Sequence, residues 1–405
     1  MEQELQQDWK KKIILFLTGQ TISLFGSSLV QYAIMWYITL DTQSGVMMTI
    51  SIICSSLPTF FIAPFAGVWA DRFNRKILII AADSFIAVST LILAILFLLG
   101  YDAIWLLFVV SAIRAIGTGI QTPAVSAVLP QIVPEDKLTK VNATNGTIQS
   151  FILLVSPMAS GALLGYAPIQ IIFFIDVVTA AIAVLIMIFL VHVPTHAKAL
   201  EQHVTGYFHD LKLGIAYINN HSYVKIFFLF SAFYFFFAGP VAFLSPLQVT
   251  RTFGEDVWRL TAIEIVFSIG MMLGGIILAS WQGFKNRVHT MVLSSSLIGL
   301  CTLALGITPI FWVYLVFMGI FGLAMPFFNT PSMVILQEKV EQDYMGRVFG
   351  VMGMISSIVM PVSMLVFGPL ADIIDIRYLL IVTGILMFAE GLLMLRSKTL
   401  IANGV

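Results

Sequence analysis

Twelve runs of apolar residues, most of them longer than 20 positions, leave this chain few ways to fold. They lie at about 13–38, 46–70, 77–99, 103–131, 137–165, 168–193, 223–250, 257–281, 288–306, 309–336, 344–371 and 377–395. A helix needs ~20 residues to cross a hydrocarbon core ~30 Å thick, so each run is long enough or nearly so. Lipid offers no hydrogen-bond partners, and the alternation typical of barrel strands is absent, so the runs read as helices. Composition agrees: 59% of residues are hydrophobic and 10% charged, where a soluble domain carries about 25% charged residues. The expected fold class is an all-α polytopic membrane protein with twelve transmembrane helices. A net charge of zero gives nucleic-acid binding no support. Cys54 and Cys301 both sit inside apolar runs and imply no disulfide framework. Met1–Lys12 is polar and the first run is too long for a signal sequence, so no cleavable leader is expected.

Lys and Arg set the orientation. With the N-terminus inside, seventeen of the 21 fall on the cytoplasmic side, three (Arg251, Arg259, Arg377) outside, and Arg114 within a span. Both termini are then cytoplasmic. The longest polar stretch, Pro194–Ser222, separates six runs from six, giving bundles at 1–193 and 223–405 joined by a linker at 194–222. The linker region carries an amphipathic pattern around Phe208–Ile218 and His192, His196, His203 and His209, which are too loosely spaced to predict a metal site. No metal or other cofactor is expected.

Between the second and third runs lies Gly67-Val68-Trp69-Ala70-Asp71-Arg72-Phe73-Asn74-Arg75-Lys76. Asp71 ends a helix where the dipole is already negative, so an arginine or the N-terminus of another helix must offset it. Gly67 leaves room for close backbone approach. The halves also repeat: Thr122-Pro123 precedes Val133, Asp136, Lys140-Val141 and Gly146, as Thr330-Pro331 precedes Val340, Asp343, Arg347-Val348 and Gly353. The stretch resembles motif A, G-x-x-x-D-R-x-x-R-K, of the major facilitator superfamily, whose members are built from such repeats. The resemblance implies two pseudo-symmetric six-helix bundles that rock about a central site. A second copy near Gly275–Arg287 keeps glycines and Lys285/Arg287 but lacks the acid. The resemblance makes Gly67, Asp71, Arg72, Arg75 and Lys76 gating residues, with the stronger latch in the N-terminal half.

Five ionisable residues lie inside spans: Asp83, Arg114, Asp176, Glu264 and Glu390. Each must face protein or water and find a partner. Arg114 is eleven residues into its span, ~17 Å deep. Arg114-x-x-Gly117-x-Gly119 resembles motif B of the same superfamily, where the arginine is implicated in proton coupling; an arginine pinning helices through backbone carbonyls is the structural alternative. Glu264 is the protonatable group, a counter-ion to a cationic substrate, or a buried acid capped by Thr261. Asp176 is a second proton site or an inter-helix hydrogen bond. Asp83, ~11 Å from the motif A cluster, is expected to pair with Arg72, Arg75 or Lys76. Glu390, six residues before Arg396, is expected to reach the interface.

The fifth span carries Ser156-Pro157-x-x-x-Gly161-x-x-x-Gly165, with small residues suited to tight helix contact and a proline bend. Around Pro157 and Gly161 it resembles motif C, the antiporter mark, with Ser156 where the family has glycine. Gln20, Gln31 and Tyr32 on the first span, Gln121 on the fourth and Asn329 on the tenth place neutral polar groups on helices that line the family's cavity. Phe233, Tyr234 and Phe237 on the seventh span and Phe327 on the tenth are expected to form apolar walls for a large ligand.

Four segments are similar to the macrolide-efflux branch of bacterial exporters: Gly19–Leu24, Arg114–Thr118, Val133–Lys140 and Gly346–Phe349. The resemblance implies a bacterial cytoplasmic-membrane protein, acting as a monomer, that exports a large amphipathic compound in exchange for protons. A siderophore or metabolite as cargo, or proton-coupled import through the same fold, are the alternatives. No H-E-x-x-H, G-x-S-x-G or P-loop motif is present, so neither an enzyme nor an ATP-driven pump is expected.

Overall fold

A computed structural model of the protein describes residues 2–191, 193 and 207–404. The side chains of 2–8, Pro64, Val68, Asp71, Arg72, 207–211, Asp343 and Asn403 lie outside that description, as do His192, His196 and His203 entirely. Among the described residues there are helices and no strand. Twelve helices are long and apolar enough to cross a membrane, close to the expected runs.

The chain divides into two compact units, 1–38 with 50–203, and 39–49 with 204–405. The first holds most of α1 (Glu2–Thr42) and α2 (Gly45–Arg72), then α3 (Arg75–Leu98), α4 (Ile104–Ile132), a 3-10 turn at Glu135–Lys137, α5 (Leu138–Tyr166) and α6 (Ile169–Phe189). Here α3 packs on α4 and α6. Asn74 caps α3, its side chain accepting from the Lys76 and Ile77 amides at 3.0 and 3.4 Å. Such a cap satisfies N–H groups that the helix itself cannot.

The second unit takes the turn between α1 and α2, then α7 (Tyr207–Asn220), α8 (Ser222–Phe253), α9 (Val257–Trp281), α10 (Arg287–Ile307), α11 (Phe311–Lys339), α12 (Gln342–Ile373), α13 (Ile376–Arg396) and α14 (Lys398–Asn403). The amphipathic segment forms α7, which packs on α12 and α8; Tyr217 stacks on Tyr344 with ring centroids 4.7 Å apart. Asn286 caps α10 by accepting from the Val288 amide at 3.0 Å. It stands before Arg287 as Asn74 stands before Arg75, so the internal repeat extends to the capping residues. Asp375 caps α13, and its bond to Arg377 holds its carboxyl below the usual carboxylate range. The cap therefore weakens only as pH falls below the ordinary carboxylate value.

Without a hydrophobic drive between helices in lipid, close backbone packing holds spans together. α9 meets α11 along such a seam. A Cβ on Gly270 would lie 2.1 Å from the Gly319 carbonyl oxygen, and one on Gly274 2.1 Å from that of Leu323. Gly275, one residue on, faces open space. Gly270→Ala should therefore push α9 off α11 and cost about 1–3 kcal/mol, while Gly275→Ala should leave stability equal or slightly raised. Thermal unfolding of the detergent-solubilised variants, followed by size-exclusion chromatography, reads the difference.

Candidate functional site

Four helices of the first unit enclose a polar core at span depth. Ser23 and Ser27 lie one turn apart on α1, Asp83 and Thr90 two turns apart on α3, and Arg114 and Gln121 two turns apart on α4. Those spacings keep each pair on one helix face. Asp176 of α6 is fully buried, and Arg114 is 8% exposed. They form an ion pair. Arg114 Nη1 also donates to Thr90 Oγ1, and Nη2 donates to the Ser27 carbonyl at 3.1 Å. The Ser27 hydroxyl donates to Asp176 Oδ1 at 3.1 Å. The two residues read separately from sequence are thus joined, and Arg114 also bonds α1 through a carbonyl, as its structural alternative expects.

Among the described residues Asp83 pairs with neither Arg75 nor Lys76. Its carboxylate accepts from Gln121 Nε2 at 2.6 Å and Ser23 Oγ at 3.3 Å, while Gln121 also reaches Gln20 at 3.5 Å. The cations find helix ends instead. Arg75 donates to the carbonyls of Ala70 and Ala127 at 2.8 and 2.7 Å. Lys76 donates to those of Ile188 and Val191 at 3.1 and 2.8 Å. Backbone carbonyls at or near helix C-termini carry partial negative charge and suit these cations. In the repeat, Arg287 pairs with Glu338 of α11. Asp71 and Arg72 side chains lie outside the described residues. Among the described residues a Cβ on Gly67 would meet nothing within 4 Å.

In the second unit Glu264 is half-buried on α9 and has no hydrogen bond or ion pair among the described residues. The expected cap is not formed, because the Thr261 hydroxyl donates to the Val257 carbonyl at 3.1 Å. Glu390 does not reach an interface: it is 4% exposed on α13. Ser295 donates to its Oε2 at 3.1 Å, and Oε1 has no partner. Its position faces α10, against which α13 packs.

The proposed apolar walls divide. Tyr234 is fully buried, stacked on Phe328 with centroids 3.5 Å apart, and its hydroxyl donates to Met325 Sδ at 3.3 Å. It is a core residue, not an available ligand contact. Phe327 is likewise buried, against Trp281. Phe233 is 45% exposed and stacks on Phe237. Asn329 and Gln31 are exposed, and Gln20, Tyr32 and Gln121 half-buried. On α5, Ser156, Pro157, Ser160 and Gly161 form a buried face, with Ser160 donating to the Leu29 carbonyl of α1 at 3.1 Å. Gly165, though in the same spacing, faces open space.

Sequence reading passed over the other end of α5. Asn142 and Gln149 are exposed and Asn145 half-buried, and none has a hydrogen bond among the described residues. Their spacing of three and four puts the amides on one face. The neighbouring hydroxyls of Thr144, Thr147 and Ser150 are satisfied by carbonyls one turn back. Free amides cannot face lipid without loss, so the stripe belongs to water or to a ligand. That run of three amides in a span was the available signal.

A family model described as Major Facilitator Superfamily matches residues 16–364. Macrolide efflux protein A of Streptococcus pyogenes is 30% identical over 386 residues, 95% of each chain. Staphyloferrin A transporter of Staphylococcus aureus is 22% identical, over 91% of this chain and 92% of that protein. In fold, the chain is similar to a bacterial homolog of the human lysosomal transporter Spinster, with a TM-score of 0.73, 12% identity and 98% of each chain covered.

The buried ion pair yields a test. Removing one partner leaves an uncompensated charge, so Arg114→Gln or Asp176→Asn alone should cost about 3–5 kcal/mol. The double substitution should recover most of that. A double-mutant cycle of thermal stability measures the coupling, and additive losses would show that the pair is not held as described.

Proposed function

Because the chain belongs to the major facilitator superfamily, we propose that it is a secondary transporter, not an enzyme, that exports a large amphipathic compound of macrolide type in exchange for protons. The observation that carries this reading is the likeness to Macrolide efflux protein A along 95% of both chains. The cargo would enter from the cytoplasm or inner leaflet. The amides of Asn142, Asn145 and Gln149 would give hydrogen bonds to it, and the exposed ring of Phe233 and the amide of Asn329 further contact. These are neutral groups, which suits a cargo rich in hydroxyls on an apolar frame. The two bundles are assigned to 1–193 and 223–405, with the linker at 194–222 and both termini cytoplasmic.

Coupling to protons is assigned to Glu264, with Arg114 and Asp176. Glu264 has no counter-charge among the described residues, so a proton arriving there meets no competing cation. Arg114 and Asp176 neutralise each other, and a proton on Asp176 would free Arg114 for its other acceptors. A proton drives transport only through its differential affinity for the inward and outward states. Asp71, with Arg72, Arg75, Lys76 and Gly67 beside it, is assigned to the inner latch, set against the N-terminus of α12 near Tyr344–Arg347.

A second reading, a chelator or endogenous metabolite as cargo, draws on the likeness to Staphyloferrin A transporter. A susceptibility panel in cells expressing the protein separates the two. Macrolide tolerance should rise at least fourfold, be abolished by a protonophore, and fall to background in Glu264→Gln, with Asp71→Asn impaired while still reaching the membrane. Unchanged tolerance across the panel would turn the assignment toward the second reading. Uptake rather than extrusion of a labelled cargo in everted vesicles would mark outward export; the opposite direction marks an importer.

A further inference from the structure

The turn between α1 and α2 ends in a set of bonds that motif A does not supply. Asp372 lies in the last turn of α12, where its own helix dipole is negative and an anion is disfavoured. Its carboxylate is instead placed on the N-terminus of α2. Oδ1 accepts from the Gly45 amide at 2.7 Å, and Oδ2 accepts from the Val46 amide at 3.0 Å and the Ser44 hydroxyl at 2.7 Å. Arg251, at the end of α8, completes the clasp. Its Nη2 donates to Asp372 Oδ1 at 2.8 Å, and its Nε donates to the Gln43 carbonyl at 3.1 Å. Gln43 holds the left-handed conformation, φ 47°, which turns that carbonyl toward the guanidinium. Beneath the clasp the backbones touch: a Cβ on Gly45 would lie 2.1 Å from the Gly368 carbonyl oxygen. Thr49 donates to the Met364 carbonyl at 3.0 Å.

α2 therefore carries an aspartate at its C-terminus, Asp71, and receives one, Asp372, at its N-terminus. We propose that Asp372 is a latch residue: with Arg251 it clasps residues 43–46, and this clasp must break each time the transporter opens its outer side. It is the outer counterpart of the latch assigned to Asp71, and the inference rests on the alternating-access reading above. The physical logic is the same at both ends. A carboxylate stranded at the negative end of its own helix gains by docking on the positive end of another, so leaving that dock has a defined penalty. Placed at opposite ends of α2, the two docks let the inner and outer sides be held closed in turn. Asp372 is a positioning residue; it need not touch cargo or proton.

The test uses the full chain in cells, with Cys54→Ser and Cys301→Ser removing both native cysteines. Thr49→Cys then serves as reporter, since Thr49 is 3% exposed behind the clasp. Its reaction with a charged, membrane-impermeant methanethiosulfonate added outside should quicken about fivefold to tenfold in Asp372→Asn and in Arg251→Gln. Asp375→Asn, whose carboxyl bonds Arg377 and not α2, should leave the rate at that of the parent. Equal rates in parent, Asp372→Asn and Arg251→Gln would overturn the latch. Should Asp372→Asn fail to reach the membrane, Arg251→Gln and a cross-link decide the matter. The pair Ser44→Cys and Asp372→Cys, oxidised to a disulfide, should stop transport, and reduction should restore it; undiminished transport in the oxidised protein would also overturn the proposal. The labelling arm needs no cargo, so it stands or falls separately from the export assignment.

Discussion

A hydrocarbon layer gives no hydrogen bonds and little screening, and nearly every feature of this chain answers to that. Backbone groups are satisfied within helices because no other partner is available at depth. Side chains that would lose water must find a partner in the protein or border an aqueous space. The Arg114–Asp176 pair is the sharpest case. Two charges that would each be prohibitive alone are made tolerable by one another, by Thr90, and by Ser27 acting on both. The arrangement ties α1, α3, α4 and α6 together about one point and so contributes to the packing of its unit.

The two units answer the constraint differently. The first concentrates polar side chains in its middle and joins Asp83, Gln121, Gln20 and Ser23 in a second network one to two turns along the same helix faces. The second builds its seams from glycine backbones, at α9 with α11 and at α10 with α13. Its two in-span carboxylates, Glu264 and Glu390, have no cation among the described residues. Glu390 is shut between packed helices with one hydroxyl donor, whereas Glu264 keeps partial exposure. Access, rather than charge alone, is what separates the surroundings of these two carboxylates.

What could be read in the chain before its coordinates follows the same physics. Length and apolarity fix the spans, because lipid tests both directly. The repeat is also legible, and the twin caps Asn74 and Asn286 extend it. Direction within a span is much less legible. A helix that is apolar all round has no polar face to mark which side meets a neighbour. Hence Tyr234, fully buried against Phe328, could be taken for a wall of the cavity, and Glu390 for an interfacial residue. Proximity along α3 likewise points Asp83 toward the loop cations, yet among the described residues its carboxylate bonds Gln121 and Ser23, while Arg75 and Lys76 donate to backbone carbonyls. The α5 amides carried a usable signal, since Asn142, Asn145 and Gln149 stand on one face at a depth where an unpartnered amide needs a reason.

Asp372 shows how a single rule read at one end of a helix carries to the other. The reasoning that asks for a dock for Asp71 begins from an acid at the wrong end of its dipole, and Asp372 is an acid in that position whose dock is visible. The bonds at this dock number several, yet they lie where water is near: the side chains of Arg251 and Asp372 are 30% and 26% exposed. Solvent can therefore replace each lost bond as the clasp opens, which keeps the penalty for release modest. The buried Arg114–Asp176 pair has no such substitute, so it stays closed unless its charge changes. Strong, dry contacts hold each unit rigid, and weaker, wet ones at the helix ends are those a transport cycle is able to break.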